Sequence, residues 1–156
     1  MRRVFLSLPA LLILIALCSA PTPSSAGAEA HPLIKRALAA SQSARKDLEN
    51  AAHDYCGHRV EALNATKGAI DQLQQALACA ERKGTAVDSP LDFAPESSGP
   101  GGERHPNIDR AISALGAAEG DLQNAAHDYC GHRVAALDAV RAALGQLKLA
   151  VECDSK

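Results

Sequence analysis

A tandem duplication with a fixed spacing of 74 residues constrains this chain more than any other feature of its sequence. Residues 31–82 align without a gap onto residues 105–156, with 28 identities in 52 positions. Within the copies, the segment 50–60 recurs letter for letter at 124–134. Agreement of this kind predicts that each copy forms the same structural unit and that the fold is assembled from two such units.

The segment that precedes the first copy is predicted to be a signal peptide, residues 1–28. Arg2 and Arg3 form a basic start, residues 4–17 are almost entirely apolar, and small residues follow. The apolar run is too short for a membrane anchor, so we expect no stable membrane span once the signal peptide has been cleaved. The paired arginines also fit the twin-arginine export route, so the export pathway stays open. We therefore expect the mature protein in the periplasm or outside the cell.

The chain between the copies has a different composition. Residues 84–104 are rich in Pro, Gly and Ser and are predicted to form a flexible linker. The resulting organisation is repeat 1 at 31–83, the linker, and repeat 2 at 105–156.

Each repeat has the pattern of two helices joined by a tight turn. Hydrophobic residues make up 47% of the chain but aromatic residues only 3%, and this Ala- and Leu-rich composition is typical of helices rather than sheets. Apolar residues recur at spacings of three and four on both sides of a turn placed at residues 54–57. The second helices also carry alanines seven residues apart, which predicts close packing against two neighbours. These alanines are Ala62, Ala69, Ala76, Ala136, Ala143 and Ala150.

One hairpin of about fifty residues would be marginally stable alone. We therefore predict an all-α fold in which the two tandem hairpins form a four-helix bundle.

Charge and motifs exclude several classes of function. The formal net charge is −2, and Lys and Arg are dispersed among acidic residues, so the chain lacks the basic surface that nucleic acids require. It also lacks a Cys-x-x-Cys pair, a hydrolase nucleophile turn and a phosphate-binding glycine loop. We predict a non-enzymatic protein without a cofactor that acts as a structural or interaction module. Its partner, a protein or another cell-envelope component, is not identified by the sequence.

Four cysteines remain once the signal peptide is removed, and in an exported chain they predict disulfides. Cys56 and Cys79 are separated by a helix about 35 Å long, whereas bonded cysteines have Cα atoms within about 7 Å. Bonds within a repeat are therefore excluded. Antiparallel hairpins would pair Cys56 with Cys153 and Cys79 with Cys130. Parallel hairpins would pair Cys56 with Cys130 and Cys79 with Cys153. The alternating helix dipoles favour the first arrangement, but the linker permits both.

The residues around each turn also suggest an alternative function, binding of zinc or copper. All six histidines lie at predicted helix ends close to cysteines, and imidazole and thiolate are ligands that both metals use. The candidate ligands are His53, Cys56, His58, His127, Cys130 and His132. A third possibility is a thiol-redox function, in which a turn cysteine has a lowered pKa.

The same turn also has a purely structural interpretation, which we favour. His53 would lie in the last turn of the first helix and bond a free carbonyl, and Asp54 would cap the second helix. Tyr55 would close the core at the hairpin tip. Arg59 would pair with an acid at the surface.

The turn sequence Ala-Ala-His-Asp-Tyr-Cys-Gly-His-Arg-Val, followed by an Ala- and Leu-rich helix, resembles a turn in small exported bacterial helical proteins of unknown function. Both repeats carry it. Those proteins have Gly-Gly-His-Arg where this chain places Cys56 and Cys130 at the first glycine. The resemblance implies no activity. It implies that each of these cysteines is an added covalent tie and that the pattern does not depend on a thiol as a metal ligand.

Overall fold

The computed structural model describes residues 31–83 and 105–154, and the regular structure within them is entirely helical. In chain order the helices are α1 (Pro32–Glu49), α2 (His58–Lys83), α3 (Pro106–Asn124) and α4 (His132–Asp154). The prediction of an all-α bundle is confirmed. The predicted signal peptide, 1–28, and the predicted linker, 84–104, lie outside the described residues. None of the four helices combines the length and hydropathy that a membrane crossing requires.

Local sequence explains where α1 begins and ends. Pro32 occupies its first turn, where the missing N–H costs nothing, and the carbonyl of His31 accepts a hydrogen bond from the N–H of Lys35 at 3.1 Å. At the other end, the side-chain amide of Asn50 donates to the carbonyl of Lys46 at 2.8 Å. The helix α3 begins in the same way, since its first residue is also a proline.

The two hairpins pack against each other antiparallel. The most extensive contacts join α2 to α4 and α1 to α3, so they lie between the repeats rather than within them. Two ion pairs show the direction of α1 against α3. The Nε of Arg36 lies 3.2 Å from Asp121, and the Nε of Arg110 lies 3.1 Å from Asp47. Each neighbouring pair of helices is therefore antiparallel, the arrangement in which helix dipoles attract.

Alanine lines the contacts between helices. Ten alanines, spaced mostly seven residues apart, are completely buried, and such small side chains let helix backbones approach closely. The predicted rows in α2 and α4 are confirmed, and α1 and α3 carry similar rows. The ten residues are Ala37, Ala44, Ala62, Ala69, Ala76, Ala111, Ala118, Ala136, Ala143 and Ala150. Larger apolar residues alternate with the alanines and fill the bundle. The completely buried ones are Ile34, Leu48, Leu73, Ile108, Leu115, Leu122, Val140 and Leu147.

Ser41 of α1 is a polar exception in this core. It is completely buried and its hydroxyl has no hydrogen-bond partner, whereas the buried hydroxyl of Thr66 donates to the carbonyl of Ala62 at 2.8 Å. A buried hydroxyl without a partner destabilises a protein by roughly 1–3 kcal/mol. We expect Ser41→Ala to raise the free energy of unfolding by about 1 kcal/mol, measured by urea denaturation.

Ser43, which lies exposed on the same helix, gives the matched control for this substitution. Ser43→Ala should change the free energy of unfolding by less than about 0.5 kcal/mol. A loss of stability in Ser41→Ala would show that the hydroxyl contributes a stabilising interaction.

Candidate functional site

The residues singled out by the sequence gather at the two ends of the bundle. At end 1, the turn 50–57 of repeat 1 meets the first residue before α3 and the last turn of α4. At end 2, the turn 125–131 of repeat 2 meets the corresponding parts of α1 and α2. The two ends are related by a pseudo-twofold axis, so most contacts at one end have a counterpart at the other.

A disulfide between the repeats closes each end. Cys56 is bonded to Cys153 at end 1 and Cys79 to Cys130 at end 2, with Cα atoms 6.3 Å apart in both pairs. This is the pairing expected for antiparallel hairpins. At each end the turn cysteine is exposed, whereas its helical partner is buried at Cys79 and half-buried at Cys153.

The backbone of each turn forms a left-handed helical turn. Tyr55, Cys56 and Gly57 have φ angles of 53°, 56° and 85°, and the second turn repeats these values within a few degrees. The N–H of Gly57 donates to the carbonyl of Asp54 at 3.2 Å, and that of His58 donates to the carbonyl of Tyr55 at 3.0 Å. A left-handed conformation costs a residue other than glycine roughly 1–2 kcal/mol. Contacts outside the turn must therefore stabilise it.

A buried tyrosine supplies such a contact at each end. Tyr55 is 6% exposed, and its hydroxyl forms a hydrogen bond with Nδ1 of His105, with 3.2 Å between the two atoms. The opposite ring nitrogen of His105, Nε2, lies 2.9 Å from the Asp154 carboxylate. At end 2, the hydroxyl of Tyr129 lies 3.1 Å from Nδ1 of His31. Each tyrosine also packs edge to face against this histidine, with ring centroids 5.3–5.4 Å apart. The prediction that the tyrosine closes the core is confirmed.

The phenol of Tyr55 gives the bundle a predicted pH dependence. Burial raises its pKa, and the charges of Asp154 and Asp109 raise it further, whereas Arg59 lowers it. The folded protein then keeps the phenol proton at a pH where the unfolded chain releases it. This contribution to stability is fully present below about pH 10, the pKa of an unperturbed tyrosine, and is lost as the pH rises through the folded-state pKa.

We therefore expect the free energy of unfolding to fall above about pH 10 and the variant Tyr55→Phe to lose part of this dependence. At neutral pH the variant should be destabilised by about 1 kcal/mol because one hydrogen bond is lost. Urea denaturation from neutral to alkaline pH measures both effects. An unchanged alkaline slope in Tyr55→Phe would contradict the assignment.

An arginine at the start of each second helix binds the end of the first. The Nη1 of Arg59 donates to the carbonyl of Leu48 at 3.0 Å, and Arg133 makes the same bond to Leu122 at 2.9 Å. The last carbonyls of a helix lack helical partners and carry its negative dipole end, so a guanidinium stabilises them. The prediction that Arg59 pairs with an acid at the surface is wrong. The predicted helix-terminal position of His53 is also wrong, since α1 ends at Glu49.

The predicted metal ligands are not brought together. His58 and His132 each bond a glutamine of the other repeat, with Nδ1–Oε1 distances of 2.9 Å to Gln146 and Gln72. Both turn cysteines are in disulfides, and the two remaining histidines, His53 and His127, are exposed. Across 31–83 and 105–154, no three or more His, Cys, Asp or Glu side chains are grouped to hold a metal ion.

A shallow cavity of about 200 Å³ opens beside the disulfide of end 2. Sites for small molecules usually have volumes of roughly 300–1,000 Å³, so this cavity is small for a ligand site. At its rim, the Asp128 carboxylate accepts a hydrogen bond from the N–H of Gly131 at 2.7 Å and so stabilises the turn. The lining residues are Cys79, Ala80, Lys83, His127, Asp128, Tyr129 and Cys130.

Comparison of the chain with protein-family models, with curated proteins and with solved structures gives no match. The resemblance of the turn to exported bacterial proteins therefore stays a prediction. It does agree with one geometric feature, because the left-handed backbone at Cys56 and Cys130 is a conformation that glycine adopts at little cost.

Proposed function

We propose that the mature protein is an exported, non-enzymatic helical bundle that acts as a structural or interaction module in the periplasm or outside the cell. The observation that supports this most is the pair of disulfides that joins the repeats at both ends. Such bonds persist in oxidising compartments and are rare in the cytosol. Their position favours a mechanical role, since they tie the hairpins together rather than leaving a reactive pair in a cleft.

The hydrogen bonds of the polar groups at the two ends of the bundle also support a structural role. The hydroxyls of Tyr55 and Tyr129, and one guanidinium nitrogen of Arg59 and of Arg133, are engaged in contacts that stabilise the turns. Groups committed to such bonds are poorly placed to bind and release a substrate. A partner is therefore expected to contact the outer helix faces, where four large apolar residues are 36–43% exposed. These residues are Val60, Val134, Leu149 and Val151.

The test is a thiol titration combined with elemental analysis of the same exported sample. We expect no titratable thiol in the denatured, unreduced protein, no stoichiometric zinc or copper, and a helical content that a chelator does not change. The matched control is the chain without residues 1–28, retained in a reducing cytosol. It should carry four titratable thiols and lose them on oxidation.

The two alternatives give different results in this experiment. A metal-binding protein that uses the turn histidines with Cys56 and Cys130 would retain free thiols together with zinc or copper. A thiol-redox protein would show an unusually reactive cysteine at neutral pH. Either result in the exported sample would contradict the proposed function.

A further inference from the structure

The interface between the repeats does not depend on the backbone that connects them. Both disulfides and the most extensive helix contacts join repeat 1 to repeat 2. Among the described residues, the two ion pairs of α1 with α3 and the two histidine–glutamine bonds of α2 with α4 also join the repeats. All of these contacts would be the same if repeat 2 belonged to a second copy of the chain.

The two described residues that flank the stretch 84–104 lie at opposite ends of the bundle. Lys83, the last residue of α2, lies at end 2, whereas His105 lies at end 1. The distance to be crossed is about the length of α2, roughly 37 Å. The 21 residues between them can extend to about 70 Å, so closure within one chain is possible but is not enforced by a short linker.

The centre of the α1–α3 contact is occupied by a small residue and a large one. The ion pairs between these helices use Arg36 and Asp47 of α1, and the midpoint between them falls beside Ser41. The corresponding midpoint in α3 falls beside Leu115. In two antiparallel helices from equivalent repeats, the residues at the two midpoints lie at the same height along the bundle. Ser41 and Leu115, which are equivalent residues 74 positions apart, therefore lie at the same height. Both side chains are completely buried.

The centre of the α2–α4 contact also combines a hydroxyl residue of repeat 1 with an apolar residue of repeat 2. The histidine–glutamine bonds use His58 and Gln72 of α2, and the midpoint between them is the half-buried Ala65, next to Thr66. The counterpart of Thr66 in α4 is Val140, and both residues are completely buried. The central layer of the bundle therefore combines two hydroxyl residues from repeat 1 with two apolar residues from repeat 2.

This layer distinguishes a mixed pair of repeats from a pair of identical ones. Two copies of repeat 1 would place two serines and two threonines at the centre, which leaves space unfilled and buries more hydroxyls. Two copies of repeat 2 would place two leucines and two valines there, which overfills a layer that now holds Ser41 opposite Leu115. Only the mixed pair keeps the combination of two small hydroxyl residues and two larger apolar residues that is buried in this structure.

We propose that the face of repeat 1 that packs on repeat 2 is a selective recognition surface, which binds repeat 2 of a second copy of this chain as well as its own. Exchange of repeats between two chains then gives a dimer closed by the same disulfides, and the central layer formed by Ser41, Thr66, Leu115 and Val140 disfavours pairing of identical repeats. The pairing of the repeats does not depend on the partner of the proposed function, whereas its closure by disulfides requires the oxidising compartment proposed there.

The experiment uses two variants of the chain without residues 1–28, which contains only the four cysteines of the repeats. These variants can form the observed disulfides only with each other. The first, Cys130→Ser with Cys153→Ser, keeps the cysteines of repeat 1. The second, Cys56→Ser with Cys79→Ala, keeps those of repeat 2. The two are denatured, mixed in equal amounts and refolded in a glutathione redox buffer. Mass spectrometry and peptide mapping then identify the products.

We expect a disulfide-linked heterodimer that carries Cys56–Cys153 and Cys79–Cys130 between the chains. The heterodimer should be about tenfold or more as abundant as each homodimer. Random pairing would make the heterodimer only about twice as abundant as each homodimer, so the expected excess is several-fold. Monomers with free thiols as the final product, or homodimers in statistical amounts, would overturn the proposal.

A second set of variants tests the central layer itself. In the chain that keeps the cysteines of repeat 1, Ser41→Leu with Thr66→Val should abolish the excess of heterodimer. Adding Leu115→Ser with Val140→Thr to the other chain should restore it, which also guards against a simple failure to fold. An excess that survives the first change, or is not restored by the second, would refute selection by this layer. Ser43→Leu, at an exposed position, is the control and should leave the excess unchanged.

Discussion

Removal of the Cys79–Cys130 disulfide is expected to lower the free energy of unfolding by about 4 kcal/mol. The bond joins residues 51 apart in sequence, and a cross-link of this span stabilises a protein chiefly by restricting its unfolded chain. Cys79 is 1% exposed and is best replaced with alanine, because serine would bury an unpaired hydroxyl. Cys130 is exposed and can be replaced with serine.

Urea denaturation under non-reducing conditions measures this effect, with the reduced wild-type protein for comparison. The equivalent variant at end 1, Cys56→Ser with Cys153→Ser, removes a bond between residues 97 apart and should lose a similar or slightly larger amount. The left-handed turn is expected to relax at the end that loses its bond. A loss below about 1 kcal/mol would show that helix packing alone holds the hairpins together.

Enlarging an alanine in the α2–α4 contact should destabilise the bundle by about 3 kcal/mol. Ala69 is completely buried on α2, and the contact of α2 with α4 is the most extensive contact between helices. The variant Ala69→Leu adds three carbons that can fit only if α2 moves away from α4. Ala143, the counterpart in repeat 2, should respond similarly to the same change. Thermal and urea denaturation measure the loss.

Ala78, which is exposed on the same helix, is the matched control. Ala78→Leu should change the free energy of unfolding by less than about 0.5 kcal/mol, since its side chain points to solvent. Wild-type stability in Ala69→Leu would mean that α2 and α4 are further apart than an alanine contact requires.

Local patterns were sufficient to predict the helices and their buried faces. The spacing of Ala62, Ala69 and Ala76 depends only on residues one or two turns apart, and Pro32 marks a helix start through its own chemistry. The direction of one hairpin against the other could not be obtained in this way. The same apolar faces fit parallel and antiparallel hairpins, and contacts between distant residues, such as Arg36 with Asp121, distinguish them.

The backbone conformation of the turns could not be predicted from the neighbouring sequence, for a different reason. Left-handed backbone at Tyr55 and Cys56 is unfavourable by itself and persists because contacts with the other repeat stabilise it. The bond from Arg59 to the end of α1 depends on the same geometry. One signal was present in the sequence. The identity of segments 50–60 and 124–134, in repeats that differ at nearly half of their positions, indicates a stricter requirement there than a helix end imposes.

The placement of both disulfides between the repeats has a consequence for proteolysis. If a protease cuts the backbone at any point between residues 83 and 105, the two fragments stay covalently attached at both ends of the bundle. Such a nicked molecule would keep its mass, apart from one added water, until a reductant separates the fragments. Cleavage in that stretch would therefore leave the four helices in place. In an environment rich in proteases, the folded bundle would persist after the backbone between residues 83 and 105 had been cut.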